Sequence, residues 1–313
     1  MKFPVFDLHC DTAYTMLGKS FLELGDLRQN NLHIDLEKAG MLAGYAQCFA
    51  CYTTPKENID PVVLFERELA TILSQIEKNN DKIRLAYSAD DVQKNFENGI
   101  MSAILTLEGT AGFGYDPNIL EDLYKVGFRI TSLGWNEKNP LTGSHVTGGG
   151  LTERGRDYVH TAQRLKMLVD VSHISDEGFW DVMDVTNVPV IATHSNSRAI
   201  CNVSRNLTDD MFRAICSTGG VAGINLFPEF LGTEVSLDTV CDHVFHFLEL
   251  DPTGKHIALG GDLDGVATLP RGFRDVSDYN LLADALLARG LDAKMVQDIF
   301  WNNILGVMGR CCM

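Results

Sequence analysis

The feature that most constrains this chain is a rhythm of eight short apolar runs, at 5–9, 43–52, 101–108, 128–135, 166–173, 188–194, 220–227 and 256–262. Segments with helical spacing separate them. In 61–79, for example, Val62, Phe65, Leu69, Ile72, Leu73 and Ile76 fall on one stripe of a helix. Thr152 opens a helix over 152–165, Ser175-Asp176-Glu177 opens another, and Thr208-Asp209-Asp210 a third, each with a capping side chain and two of them with acidic first turns. The tail, 280–308, reads as two helices broken near Gly290. Continuous apolar strands alternating with helices are parallel strands whose outer face is covered. A closed (β/α)8 TIM-type barrel is the simplest way to close eight such units, and its usual size of about 250 residues leaves room for loop insertions. An open doubly wound sheet competes, but no Gly-x-Gly-x-x-Gly turn follows a strand. No linker, repeat or charge block divides the chain, which predicts one catalytic domain over 1–313.

The chemistry lies where these runs end. The first closes on Asp7-Leu8-His9-Cys10-Asp11, the third on Glu108, the fifth on His173, the sixth on His194 and the eighth on Gly260-Gly261-Asp262-Leu263-Asp264. His9 and Asp11 are two apart, so an extended backbone points both to one side. A barrel brings every C-terminal strand end to one rim. Three histidines and three carboxylates (His9, His173, His194, Asp11, Glu108, Asp262) would then meet, which calls for cations to offset their mutual repulsion. Imidazole with carboxylate suits zinc first, with manganese, cobalt or iron compatible. The ligands exceed what one tetrahedral zinc takes, which favours two divalent ions bridged by a carboxylate. His33, His160, His243, His246 and His256 read instead as ordinary hydrogen-bonded histidines. Asp7 reads as a strand-end cap and Asp264 as a loop carboxylate satisfied by backbone amides.

Composition narrows the field. A net charge of −16 repels phosphate backbones and argues against nucleic acid. No stretch reaches the roughly 20 apolar residues that cross a bilayer, and Asp7, His9 and Asp11 interrupt any apolar leader. The ending Arg310-Cys311-Cys312-Met313 fits neither a lipid-anchor tail nor a prenylation box. The eight cysteines include one C-x2-C pair, Cys48 and Cys51, without a second spaced pair, so they read as reduced, buried small residues. These features predict a cytoplasmic protein.

At this point the pattern resembles a known family, the membrane (renal) dipeptidases and their bacterial relatives, zinc peptidases of the amidohydrolase type. The matching pieces are Asp7-Leu8-His9-Cys10-Asp11, Thr106-Leu107-Glu108-Gly109, Asp170-Val171-Ser172-His173, Ala192-Thr193-His194-Ser195, Ser204-Arg205-Asn206 and Gly260-Gly261-Asp262-Leu263-Asp264-Gly265, in the family's order. The resemblance implies hydrolysis of dipeptides, with tolerance of D-residues at the C-terminal position, by a hydroxide between two Zn2+ ions. It implies His9 and Asp11 on one zinc, His173 and His194 on the other, Glu108 bridging, and Asp262 moving the proton to the leaving amine. Arg205 matches the arginine that grips the substrate's carboxylate, a task suited to a planar guanidinium. Arg198 reads as structural. The resemblance also implies a homodimer.

One departure stands out. Trp135 aligns with a family histidine that contacts the substrate carbonyl, and an indole N–H donates one hydrogen bond but takes no proton. The oxyanion role would pass to the metals, to Asn136, or to His145 from the Gly-rich loop 141–151, itself a candidate lid. Two rival functions stay open. One is another binuclear-metal amidohydrolase, an N-acyl amino acid deacylase or lactonase, although strand one has His-x-Asp and strand four has no bridging lysine before Lys138. The other is a non-catalytic metal-binding barrel.

Overall fold

A computed structural model describes residues 1–17, 26–55 and 59–312. Its parallel strands are β1 (Pro4–Cys10), β2 (Gly44–Tyr52), β3 (Ile83–Leu85), β4 (Met101–Glu108), β5 (Phe128–Ser132), β6 (Leu168–Asp170), β7 (Val190–Ile191), β8 (Ala222–Ile224) and β9 (Ile257–Leu259). They run in the order β7-β6-β5-β4-β2-β1-β9-β8. A bridge between Ala192 and Ala222 joins the two ends, with Ala192 N donating to Val221 O (3.0 Å) and Gly223 N to Ala192 O (2.8 Å). The eight-stranded (β/α)8 barrel is therefore the architecture, closed at its weakest seam by a single bridge. The ninth strand, β3, was not expected. It is three residues long and pairs with the N-terminal half of β4, whose C-terminal half pairs with β5.

The helices start where the sequence places caps. Thr152 accepts from Gly155 N, Ser175 from Gly178 N, Thr208 from Met211 N, and Asp60 from Val62 N ahead of the helix Pro61–Lys78. In the tail, Gly290 takes φ +103° between the helices Tyr279–Ala288 and Ala293–Gln297, so the break falls on the residue that bears positive φ at least cost.

Strand side chains divide by the two-residue period into an outer layer under the helices and an inner layer. Phe6, Leu8, Ala46, Cys48, Ile104, Ile130, Leu168 and Ile191 fill the inside, and Trp301, Ile304, Val307 and Met308 of the C-terminal helical segment close it from below. Moving up β4, Ile104, Thr106 and Glu108 share the inner face by the same alternation. The β1–β2 register shifts between Asp7 and Cys10. At this break β1 turns from filling the barrel with Phe6 and Leu8 to supplying the rim with His9 and Asp11.

Candidate active site

The later strands are shorter than their apolar runs. His173, His194 and Asp262 each stand three residues beyond β6, β7 and β9, on backbone that has left the ladder. His173 (φ +70°) and Asp262 (φ +58°) adopt the left-handed region, uncommon without glycine. The strain re-aims both side chains toward the barrel axis. Two glycines make the remaining space. A Cβ at Gly265 would lie 2.0 Å from Asp11 Oδ2 and 2.6 Å from Asp262 Oδ1, and one at Gly109 (φ +83°) would lie 2.2 Å from Thr53 O.

All six rim residues converge around Glu108. Its Oε1 lies 3.0 Å from His173 Nε2 and 3.8 Å from His194 Nε2. Its Oε2 lies 3.7 Å from His9 Nε2, which is itself 3.7 Å from Asp11 Oδ2 and 3.9 Å from Asp262 Oδ1. One carboxylate thus faces two histidines with one oxygen and a histidine–aspartate pair with the other.

Neighbouring groups set the imidazole tautomers. Asn136 Oδ1 accepts from His173 Nδ1 (2.9 Å) and from His145 Nε2 (2.9 Å). Thr193 Oγ1 donates to Asp170 Oδ2 (2.6 Å) and so accepts from His194 Nδ1 (2.7 Å). Asp170 is held in turn by the Ser172 and Thr193 amides at 2.9 Å. Both Nδ1 atoms therefore carry protons, and the Nε2 lone pairs of His173 and His194 face each other at 3.0 Å. Two facing lone pairs repel unless a cation shares them. His9 Nε2 is buried without a hydrogen-bond partner. These features fit divalent cations, and the donors are the nitrogen and oxygen atoms that such ions take.

The electrostatics agree. Burial, helped by Asp11 and Asp262, raises Glu108 to about 8. Burial, with Asp11 adding, raises Asp262 to about 7. Burial pulls His9 down, but Glu108, Asp11 and Asp262 outweigh it and hold the imidazole up at about 10. Burial first, then the positive charges of Arg205 and His9, press His173 and His194 well below the usual imidazole range. Without added positive charge the carboxylates retain protons and the two histidines refuse them.

Above these groups lies a cavity of about 250 Å³, room for a molecule of dipeptide size. Tyr14, Tyr52, Trp135, Phe227, Phe230 and Val266 give it an apolar wall, while Asp11, Glu108, His173, His194 and Asp262 give it a charged side. Trp135 lies edge-on to Tyr52, ring centroids 5.2 Å apart. Asn136 also lines the cavity, although its carbonyl oxygen is committed to the two histidines. Arg205 lies beside it, over the Phe230 ring at 5.7 Å. Its Nη1 donates to Ser195 Oγ (2.6 Å), while Nε and Nη2 are buried with no partner. Asp210 and Asp209, the nearest acidic residues along the chain, pair with Arg213 and His246 instead. At 4% exposure, a half-unpaired guanidinium points to an anionic ligand. Arg198 is fully engaged with Asp176 and the carbonyls of Ser204 and Asn206, a structural role.

Several contributors escaped the sequence reading. Asp7 is no metal donor. It accepts from the amides of His9 (3.1 Å) and Gly261 (2.9 Å) and from the Tyr279 hydroxyl, tying β1 to β9 beneath the site. Asp264 accepts one amide, His33 N (2.6 Å), and also the Thr12 hydroxyl (2.7 Å). Asn225 Nδ2 donates to Asp262 Oδ2 (3.1 Å). Asp170 and Thr193 sit inside quoted motifs, so their positions were visible and their bracing roles were not. The Gly-rich loop 141–151 is tied down, with Gly143 N on Gly149 O (3.1 Å), Gly148 N on Ser144 O (2.8 Å) and Leu151 N on Asp181 Oδ2 (2.7 Å).

Among the described residues no helix is long and apolar enough to cross a membrane. The family model described as membrane dipeptidase (peptidase family M19) matches residues 1–311. The "Uncharacterized protein in pqqA 5'region" of Klebsiella pneumoniae is 34% identical over 264 residues, 80% of this chain and 96% of its own. A metallopeptidase from Rhodobacter sphaeroides, solved with a phosphinate mimic of the dipeptide L-Ala-D-Ala, superposes with TM-score 0.92 at 26% identity, covering 99% of this chain and 100% of its own. The M19 metallopeptidase dipeptidase AC superposes with TM-score 0.92 at 27% identity, over 100% and 99% of the two chains. The chain therefore belongs to the membrane dipeptidase family, and it is a metallo-dipeptidase.

Proposed function

We propose that this protein is a zinc-dependent dipeptidase that holds two Zn2+ ions and hydrolyses dipeptides, including those with a D-residue at the C-terminal position. The observation that carries the reading is the double-sided presentation of Glu108, with Oε1 toward His173 and His194 and Oε2 toward His9, which itself neighbours Asp11. In this reading His9 and Asp11 hold one ion, His173 and His194 the other, and Glu108 spans both. When bound, such a pair lowers the pKa of water and polarises a carbonyl.

The protein's own groups do the rest. The two unpaired nitrogens of Arg205, Nε and Nη2, take the substrate's terminal carboxylate. Tyr52, Trp135 and Phe230 enclose the side chains and exclude water. Asp262, steadied by Asn225, takes the proton of the attacking water as the carbon–oxygen bond forms. It gives that proton to the amine nitrogen as the carbon–nitrogen bond breaks. With Oδ2 held by Asn225 and the carboxylate on the cavity wall, Asp262 is placed for both halves of that exchange. Asn136 keeps His173 in its tautomer and lies within reach of the substrate across the cavity. The whole chain, 1–313, acts as one catalytic domain, and its eight free thiols support a cytoplasmic setting.

Tolerance of a C-terminal D-residue draws support from the Rhodobacter relative bound to an L-Ala-D-Ala mimic. A panel of L,L and L,D dipeptides, run beside N-acetyl amino acids and lactones, tests the substrate class. Metal analysis of protein purified without chelator tests the ion count. Turnover of dipeptides with about two zinc ions per chain is expected. Preferential cleavage of acylated amino acids or lactones, or well under one ion per chain, overturns the reading.

A further inference from the structure

Away from the active site, one further cluster of metal-competent side chains occurs among the described residues. Cys216, Asp251 and His256 each offer one ligand atom, and these atoms all lie within 4.8 Å of one another. Cys216 belongs to the last turns of the helix Asp209–Thr218, Asp251 follows the helix Leu237–Leu250, and His256 immediately precedes β9. The cluster therefore sits at the N-terminal face of the barrel, opposite the catalytic rim, and all three residues are partly exposed.

Two features beyond proximity point to a ligand. Asp251 satisfies Oδ1 with the Thr253 amide (3.1 Å) and hydroxyl (2.7 Å), yet its Oδ2 is buried with no hydrogen-bond partner. A buried, unpaired carboxylate oxygen is costly unless a cation or donor meets it. His256 Nδ1 donates to the Gly220 carbonyl at 2.7 Å, which leaves the lone pair on Nε2. A backbone carbonyl on the distal nitrogen is the usual brace of a metal-binding imidazole. A tetrahedral zinc, at about 2.0–2.1 Å from nitrogen and oxygen and 2.3 Å from sulfur, spaces its donors roughly 3.3–3.8 Å apart, so small side-chain adjustments complete the triad.

We propose that Cys216, Asp251 and His256 form a binding site for a borderline divalent cation of the zinc type, separate from the catalytic ions. Water completes the coordination. The ion clips two helices to the start of β9, with a structural rather than a catalytic role. Thiolate, imidazole and carboxylate together select zinc or cobalt over magnesium or calcium.

Cobalt addition to the metal-loaded enzyme tests this directly, because a thiolate ligand gives a near-ultraviolet sulfur-to-cobalt charge-transfer band. The proposed catalytic ligands include no sulfur, so they are silent in that band. The expected result is a band that saturates at one ion beyond the catalytic complement, disappears in Cys216→Ser and weakens at least tenfold in affinity in His256→Ala. Dipeptide turnover by Cys216→Ser should equal that of the parent. No band in the parent protein overturns the proposal, as does a band that survives Cys216→Ser and so arises from another cysteine such as Cys201 or Cys311.

Discussion

Phe6 and His9 lie three residues apart on β1 and serve opposite ends of the barrel. Phe6 rests 5.8 Å from the Trp301 ring in an apolar floor, where Leu8, Ile104, Ile304 and Met308 are also buried. His9 stacks on His194 at 3.8 Å among charged and titratable groups, beside strand ends with positive φ. Dispersion and removal of apolar surface from water stabilise the floor outright. The rim is held in place by the floor and by its bracing hydrogen bonds, and its buried carboxylates crowd one another, so that burial and Asp11 both raise Glu108 and Asp262. That contrast explains how one strand supplies both: the register break between Asp7 and Cys10 turns His9 inward on the side that Phe6 already faces, and height along the axis fixes whether an inward side chain stabilises the fold or supplies its chemistry.

Substitutions at the two ends should therefore separate activity from stability. Asp262→Asn removes the proposed proton carrier and should lower kcat by about 10²–10⁴-fold, with metal content and melting temperature unchanged. Near-normal turnover would refute the assignment. Trp301→Ala opens a cavity in the floor and should cost about 3–5 kcal/mol of stability, with KM for dipeptides intact in the folded fraction. If KM moved as much as the denaturation midpoint, floor and rim would not be separable. Arg205→Ala deletes two charged hydrogen bonds that contribute about 1.5–3 kcal/mol each, so kcat/KM for dipeptides should fall roughly 10²–10⁴-fold. Substrates whose terminal carboxylate is amidated should be little affected, and an equal loss on both would remove the carboxylate role.

What could be read from the sequence follows the range of the interactions. Apolar runs and caps are local, so Thr152, Ser175 and Thr208 emerge as N-caps and the barrel's rhythm is visible directly. The metal-competent set was legible because each member ends an apolar run, where a His, Glu or Asp is out of place. Hidden were effects that depend on distant partners or on backbone shape. Tyr279 meets Asp7 across 272 positions, and Asn136 orders two histidines from different loops. The positive φ at His173 and Asp262 leaves no trace in residue type, since neither is glycine. β3 is too short to show a period, and Cys216, Asp251 and His256 share no motif.

The smallest expected effect is a pH dependence specific to the rim. In protein stripped of metal, Glu108 is raised to about 8, chiefly by burial, and His9 is raised to about 10 because Glu108, Asp11 and Asp262 outweigh its burial. The pair then holds a proton in the folded state that the unfolded chain releases, since a carboxyl ordinarily loses its proton near 4.5 and an imidazole near 6.5. Stability must fall with rising pH wherever the folded state binds more protons. Between about pH 6.5 and about pH 8 the Glu108–His9 pair, whose charges hold each other, acts in that direction as one unit. His173 and His194, whose pKa values are depressed, oppose it only below about 6.5, where the unfolded chain gains protons instead. The slope should be roughly 1 kcal/mol or more per pH unit. Divalent cations displace these protons and bind more tightly as pH rises. Melting curves of chelated and zinc-reloaded protein should therefore draw apart between about pH 6.5 and about pH 8. A gap that stays constant or narrows would mean that the rim does not hold these protons, and that the strain between floor and rim is relieved in some way other than by metal.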